Sequence, residues 1–170
     1  MNNKEIQDRL NEIGRIVASD LKPEGFWEGW LSSSALGVAV AVAALHFDDA
    51  KKNALEIQKG NLWLQKNINT NGSYGDTLES PGNVSTSLLV YAALNLYSAK
   101  DKSVEETQGK IAVYLASLKI DVNSPQVAEF ILAHYQKDYT FCVPILAMCG
   151  LCGVPGEDAF NHIPQLPFEL

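Results

Sequence analysis

The chain has no run of basic residues, no apolar stretch long enough to cross a bilayer and no even set of cysteines. Its 13 Lys and Arg are outnumbered by 20 acids, for a net charge of −7. A surface that tracks nucleic-acid phosphates needs clustered cations, so that partner class is excluded. The longest apolar run, 35–47, is too short to span a membrane and reads as a buried helix. Cys142, Cys149 and Cys152 are odd in number, and the polar start MNNKEIQDRLNEIG is no secretory signal; both point to reduced thiols and a cytoplasmic protein. No HExxH motif, phosphate-cradling glycine loop or Ser/His/Asp order is present. No segment alternates as a strand would, so the fold class is all-α.

What is there suits one globular domain over 1–170, with 153–170 as a proline-extended tail; 46% of residues are hydrophobic. Ile6, Leu10, Ile13 and Val17 form one stripe of an amphipathic helix over 4–20, stopped near Pro23. Ser32 to Ser34 offer a cap for the apolar helix 35–47, whose Ala/Val faces imply protein on every side. An amphipathic helix over 51–67 ends at Asn69-Thr70-Asn71-Gly72, residues that tolerate left-handed backbone. Asn83 or Ser85 caps an apolar helix over about 84–98, and further helices follow over about 104–119, 124–135 and 140–152. Ser124-Pro125 opens the sixth, and Pro144 is expected in the first turn of the seventh.

Two stretches share a pattern. LKPEGFW (21–27) and INTNGSYG (68–75) each follow an amphipathic helix, carry a glycine in a polar turn, and place an aromatic two positions later. Gly25 and Gly72 are 47 residues apart, a period that suits helix-pair repeats. Alternation of amphipathic with wholly apolar helices predicts an outer and an inner layer, as in a partial α/α toroid of about seven helices.

Trp63-Leu64, NGSYGDT (71–77) and SPGNVST (80–86) resemble the aromatic-glycine "QW" repeat of the squalene–hopene cyclase family, the class II terpenoid cyclases. GFWEGWLSSSAL, YTFCVPIL (139–146) and IPQLPFEL (163–170) are similar to segments of the N-terminal half of that family, in family order. Protein prenyltransferase β subunits have similar toroids. The resemblance implies cyclisation of a squalene-type polyprenoid, started by an aspartic acid and without metal or cofactor, with aromatic rings steadying carbocations. It also implies a downstream half of a cyclase chain as partner and a peripheral membrane location for a full-length relative; the apolar flanks of an open set of inner helices could equally be covered by a second copy.

The family's catalytic Asp-x-Asp-Asp signature does not occur in these residues. The corresponding place in the repeat holds Asn83-Val84-Ser85-Thr86, without a carboxylate, and the isolated chain is therefore expected to be inactive. Ile68 stands at the expected glutamine and Tyr74 at the usual tryptophan. Asp48-Asp49 reads as a solvated helix end, and Asp76 and Glu79 as loop acids that accept backbone N–H bonds or face an adjacent helix N-terminus. Cys149 and Cys152 have CxxC spacing, but His162 alone does not complete a zinc set, so core packing is the stronger reading. Six residues remain as candidates for apolar-ligand contact or for packing of the repeat: Phe26, Trp27, Trp30, Trp63, Tyr74 and Asp76. The alternative to a cyclase half is a stand-alone helical interaction module or prenyl-lipid-binding module without enzyme activity.

Overall fold

The computed structural model describes residues 2–29, 32–97, 101–136, 138–156 and 159–164. Seven α-helices and one 3-10 turn account for the regular structure among them, with two isolated bridges and no strand, as the periodicity predicts. Backbone contacts divide the chain into two compact units, 1–32 and 33–170.

The first unit is a helix and a hairpin-like turn. Asn2 opens α1 (Asn3–Ser19) with a capping box: its side chain accepts from the Glu5 amide at 2.9 Å, and Glu5 accepts from the Asn2 amide at 2.8 Å. The stripe of Ile6, Leu10, Ile13 and Val17 forms as expected, but α1 buries none of its residues. After the helix the backbone turns at Gly25, whose φ of +86° is a left-handed conformation that costs glycine nothing. That turn lets the Lys22 amide donate to the Phe26 carbonyl at 2.9 Å.

The second unit is built round α4 (Val84–Asn95), nine of whose twelve residues are buried. Beyond its polar first turn the helix is apolar on several faces because neighbouring helices pack on it from several sides. Helix α2 (Ala35–Asp49) packs on one flank of it and α7 (Tyr139–Leu151) on another. Behind them lie the amphipathic helices: α3 (Ala54–Lys66) against α2, α5 (Lys102–Ser117) against α4, and α6 (Gln126–Tyr135) against α7. Apolar helices in front and amphipathic ones behind are the layering of part of an α/α toroid. Fully buried Leu64, Leu88, Leu94, Ile111, Leu115 and Ile131 join the layers.

Three expectations need correction. Helix α2 is not enclosed on every side: Ala35, Ala39, Val42 and Ala43 are buried, whereas Leu36, Val40 and Phe47 remain exposed. Its neighbours in this unit cover one face only. Pro144 is the sixth residue of α7, beyond the first turn, because the Asp138 side chain caps the helix earlier by accepting from the Thr140 amide. The tail is not wholly extended: Ala159–His162 form a 3-10 turn whose Phe160 ring lies over Gly150. Most of the IPQLPFEL segment, 165–170, lies outside the described residues.

Cys142, Cys149 and Cys152 are buried in the core, as the packing reading has it. Burial pushes the Cys149 thiol up to about 12 and the Cys152 thiol up to about 11. Asp49 accepts from the amides of Lys51 and Lys52, so the Asp48-Asp49 pair is the solvated turn that its surroundings suggest.

Candidate functional site

The site grows from the turn between α3 and α4. Polar Asn69, Asn71 and Ser73 tie it locally: the Asn69 amide donates to the Ser73 carbonyl at 3.0 Å, and Asn71 accepts from both the amide and the hydroxyl of Ser73. Gly72, at φ +83°, makes the reversal; an added Cβ there would lie 2.4 Å from the Lys110 carbonyl oxygen, so α5 presses on it as well. The chain then pairs Tyr74 with Asn83, the Asn83 amide donating to the Tyr74 carbonyl at 2.9 Å. Tyr74 is 1% exposed, and its hydroxyl donates to the Leu64 carbonyl at 2.6 Å. Burial holds that hydroxyl well above the ordinary phenol range, so it remains a donor.

Asn83 is the hinge between turn and helix. Its side-chain oxygen accepts from the Thr86 amide at 2.8 Å, the N-cap bond of α4, while its amide nitrogen donates to Asp76 Oδ1 at 2.9 Å. The Thr86 hydroxyl donates to the same Asp76 oxygen at 2.6 Å. These two bonds, Thr86 first, hold the Asp76 carboxyl below its ordinary range against a small opposing effect of burial. Asp76 is therefore a standing anion rather than a proton donor near neutral pH.

Between Asn83 and Thr86, Ser85 faces elsewhere. Its Oγ lies 2.9 Å from the Tyr135 hydroxyl at the end of α6, a link across 50 residues. Tyr135 stacks on Phe141 of α7 with ring centroids 6.0 Å apart. This meeting of α4, α6 and α7 borders a cavity of about 640 Å³, within the range of small-molecule sites. Leu36, Val40, Leu89, Phe141 and Met148 give it much of an apolar wall; Asp76, Asn83, Ser85, His134, Tyr135 and Thr140 give it polar groups.

Of the six residues singled out by sequence, only Asp76 lines this cavity. Tyr74 lies behind it as structural support, and Trp63 packs against the core from α3. Phe26 and Trp27 belong to the first unit, where both are exposed and the Trp27 indole donates to the Val17 carbonyl at 2.7 Å. Trp30 lies outside the described residues. The sequence does not mark Tyr135 or Phe141, because nothing in a regular apolar helix pattern distinguishes the residues that reach a cavity. Among the described residues no group of three or more His, Cys, Asp and Glu is gathered to hold a metal, and no helix is long and apolar enough to cross a membrane.

The family model described as the squalene-hopene cyclase N-terminal domain matches residues 10–107, which include α2, α3 and α4 and the turn that carries Tyr74 and Asp76. No curated protein and no solved structure matches the chain.

Proposed function

The chain belongs to the squalene-hopene cyclase N-terminal domain family, and from that premise we propose that it is the non-catalytic part of a polyprenoid cyclase, offering an apolar wall to a squalene-type ligand. One observation carries this reading: at the start of the inner helix α4, the cavity is bordered by Asn83 and Ser85, with one carboxylate, Asp76, held in its ionised form. Protonating an olefin needs an acid that keeps its proton until the substrate is in place. Asp76 is tuned the opposite way. The wall of Leu36, Val40, Leu89, Phe141 and Met148 supplies burial for a hydrocarbon, and the Tyr135 and Phe141 rings supply π-faces.

On this reading the QW-like turn has a structural role, and Phe26, Trp27, Trp63 and Tyr74 pack their repeats rather than touch a ligand. The two units are then parts of one cyclase-like region over 1–170, located in the cytoplasm. The test is a pair of measurements on the purified chain with squalene. Binding is expected, and cyclised product is expected to be absent at every pH tested. Cyclisation by this chain alone would overturn the non-catalytic assignment, and absence of binding would overturn the ligand assignment.

The exposure of Leu36, Val40 and Phe141 favours a second reading, in which the apolar face receives another protein chain. An oligomeric state by light scattering that resists dilution, together with no squalene binding, is the result that selects it.

A further inference from the structure

Among the described residues one buried side-chain atom has no hydrogen-bond partner, Asn61 Oδ1. Asn61 lies within α3 and is 7% exposed, and its Nδ2 donates to none of the described residues either. A buried carboxamide left unpaired is costly to keep. The repeat shows what that position otherwise does. The step of 47 residues that separates Gly25 from Gly72 leads from Asn61 to Gln108 of α5. Gln108 is buried to the same degree, 8% exposed, and its Nε2 donates to the Tyr91 carbonyl at 3.3 Å and to Asn95 Oδ1 at 3.1 Å. The same step leads from Asn95 back to Asp48, whose Oδ2 already accepts from Asn53 at 3.0 Å. Asparagine is also one methylene shorter than glutamine. One repeat therefore engages the carboxamide with its own helices, and the other leaves it free.

The free carboxamide borders a cleft of about 230 Å³ beside α3. The polar residues of its lining are Gln58, Asn61, Gln65, Tyr97 and Asp101, and the others are apolar. The Tyr97 hydroxyl is 2.8 Å from His46 Nδ1, and Asp101 accepts from the amide and hydroxyl of Ser103. Gln58, Asn61 and Gln65 follow helical steps of three and four, so three carboxamides share one face of α3.

No cation lines the cleft, so an anion would meet only the charge of Asp101. A cation finds that carboxylate exposed, where water screens it. A hydrocarbon leaves the Asn61 carboxamide unanswered. A primary amide carries C=O and N–H on one edge and answers both ends of a carboxamide at once. Its reach is set by the shape of the amide itself, since both of its partners belong to Asn61. We propose that this cleft binds a primary carboxamide on a short apolar stem, its oxygen accepting from Asn61 Nδ2 and its N–H donating to Oδ1. Oδ1 is buried, and the carboxamide turns about its soft terminal torsion to present both ends. The volume suits such a group and falls below that of a drug-sized site. A trans peptide bond holds its N–H and C=O on opposite edges and cannot pair in this way. A free amide and the glutamine side chain of a peptide share the required chemistry.

The experiment uses the full chain labelled with nitrogen-15 and follows the Asn61 side-chain amide by NMR. The probes are butanamide, N-methylbutanamide and a glutamine blocked at both ends. Butanamide and the blocked glutamine are expected to shift the Asn61 resonances, and the tighter of the two names the source, free amide or peptide. Butanamide is expected to bind about tenfold more tightly than its N-methyl derivative, the effect of one further hydrogen bond. Asn61→Leu, which keeps the shape, brings that ratio to one when binding is followed through the backbone amides of α3. The probe series on the unaltered chain keeps the test open should this variant not fold. Equal affinity for butanamide and its N-methyl derivative, or a ratio that survives Asn61→Leu, would overturn the proposal. So would an Asn61 resonance that no probe moves, which would leave water as the sole partner of the carboxamide.

Discussion

Trp27 and Tyr74 close the same hydrogen bond 47 positions apart: each aromatic donates from its polar atom to a carbonyl ten residues earlier, Val17 at 2.7 Å and Leu64 at 2.6 Å. The backbone round them matches as well. The Lys22 amide donates to the Phe26 carbonyl as the Asn69 amide does to that of Ser73, and Gly25 and Gly72 share a left-handed φ. The turn therefore recurs as a hydrogen-bonding unit, and tyrosine does the work of tryptophan because both carry a donor at the far edge of a flat ring.

Replacing Tyr74 by Phe removes the donor but keeps the ring. The Leu64 carbonyl still accepts from the Asn67 amide, so the loss is expected to be about 1 kcal/mol, seen as a lower urea midpoint with unchanged slope. A change below a few tenths would show that the bond is dispensable.

The two turn glycines differ in surroundings, and the difference is measurable. Gly25→Ala meets open space and suffers only the left-handed backbone, about 1–2 kcal/mol locally. Gly72→Ala suffers that and a collision with the Lys110 carbonyl, so α5 must move. Amide exchange should quicken in the first turn alone for Gly25→Ala, and across α4 and α5 for Gly72→Ala.

Acid should weaken the start of α4. Asp76 is held below the ordinary carboxylate range by Thr86 and Asn83, so its contribution to stability is fully present above that range. It is lost as pH falls through the lower, folded value. A carbon-detected titration of Asp76 should give a midpoint below that of an unstructured aspartate, and Asn83→Ala should raise it. The same substitution removes the N-cap and is expected to cost about 1 kcal/mol.

The core thiols should ignore alkylating reagents until the chain unfolds. Folding keeps Cys149 protonated up to about 12 and Cys152 up to about 11, whereas unfolded thiols ionise in the ordinary range. The unfolded state loses its protons first, so stability falls as pH rises from that range towards 12. Urea midpoints measured from neutral to alkaline pH should fall, and Cys149→Ala should flatten the decline.

Much of this fold is legible in residue spacing. The apolar and amphipathic helices, the glycine turns and the Asn83 cap all depend on neighbours within a few positions, where periodicity and turn chemistry act. The cavity is different in kind. Ser85 meets Tyr135 across 50 residues, and no local pattern marks Tyr135, which looks like any other residue of a short apolar helix. The exposure of α2 was equally hidden, because apolar residues on every face are compatible with a full set of neighbours or with an open wall. Pro144 shows a local rule overridden: the Asp138 cap outweighs the preference of proline for a helix start. Asp76 could be named from the loop, but its meaning came from Thr86 and Asn83 holding one oxygen while the other stays available.

The closing bonds of the repeated turn run mostly between main-chain atoms, with one aromatic donor as the side-chain contribution. Such a unit tolerates turnover of almost every letter that spells it, so long as a glycine and a ring with a polar edge keep their places. Descendants of one ancestral turn can thus drift apart in spelling while their bond register persists. Tracing the ancestry of chains like this one is then better done by matching donors to acceptors than by matching residues.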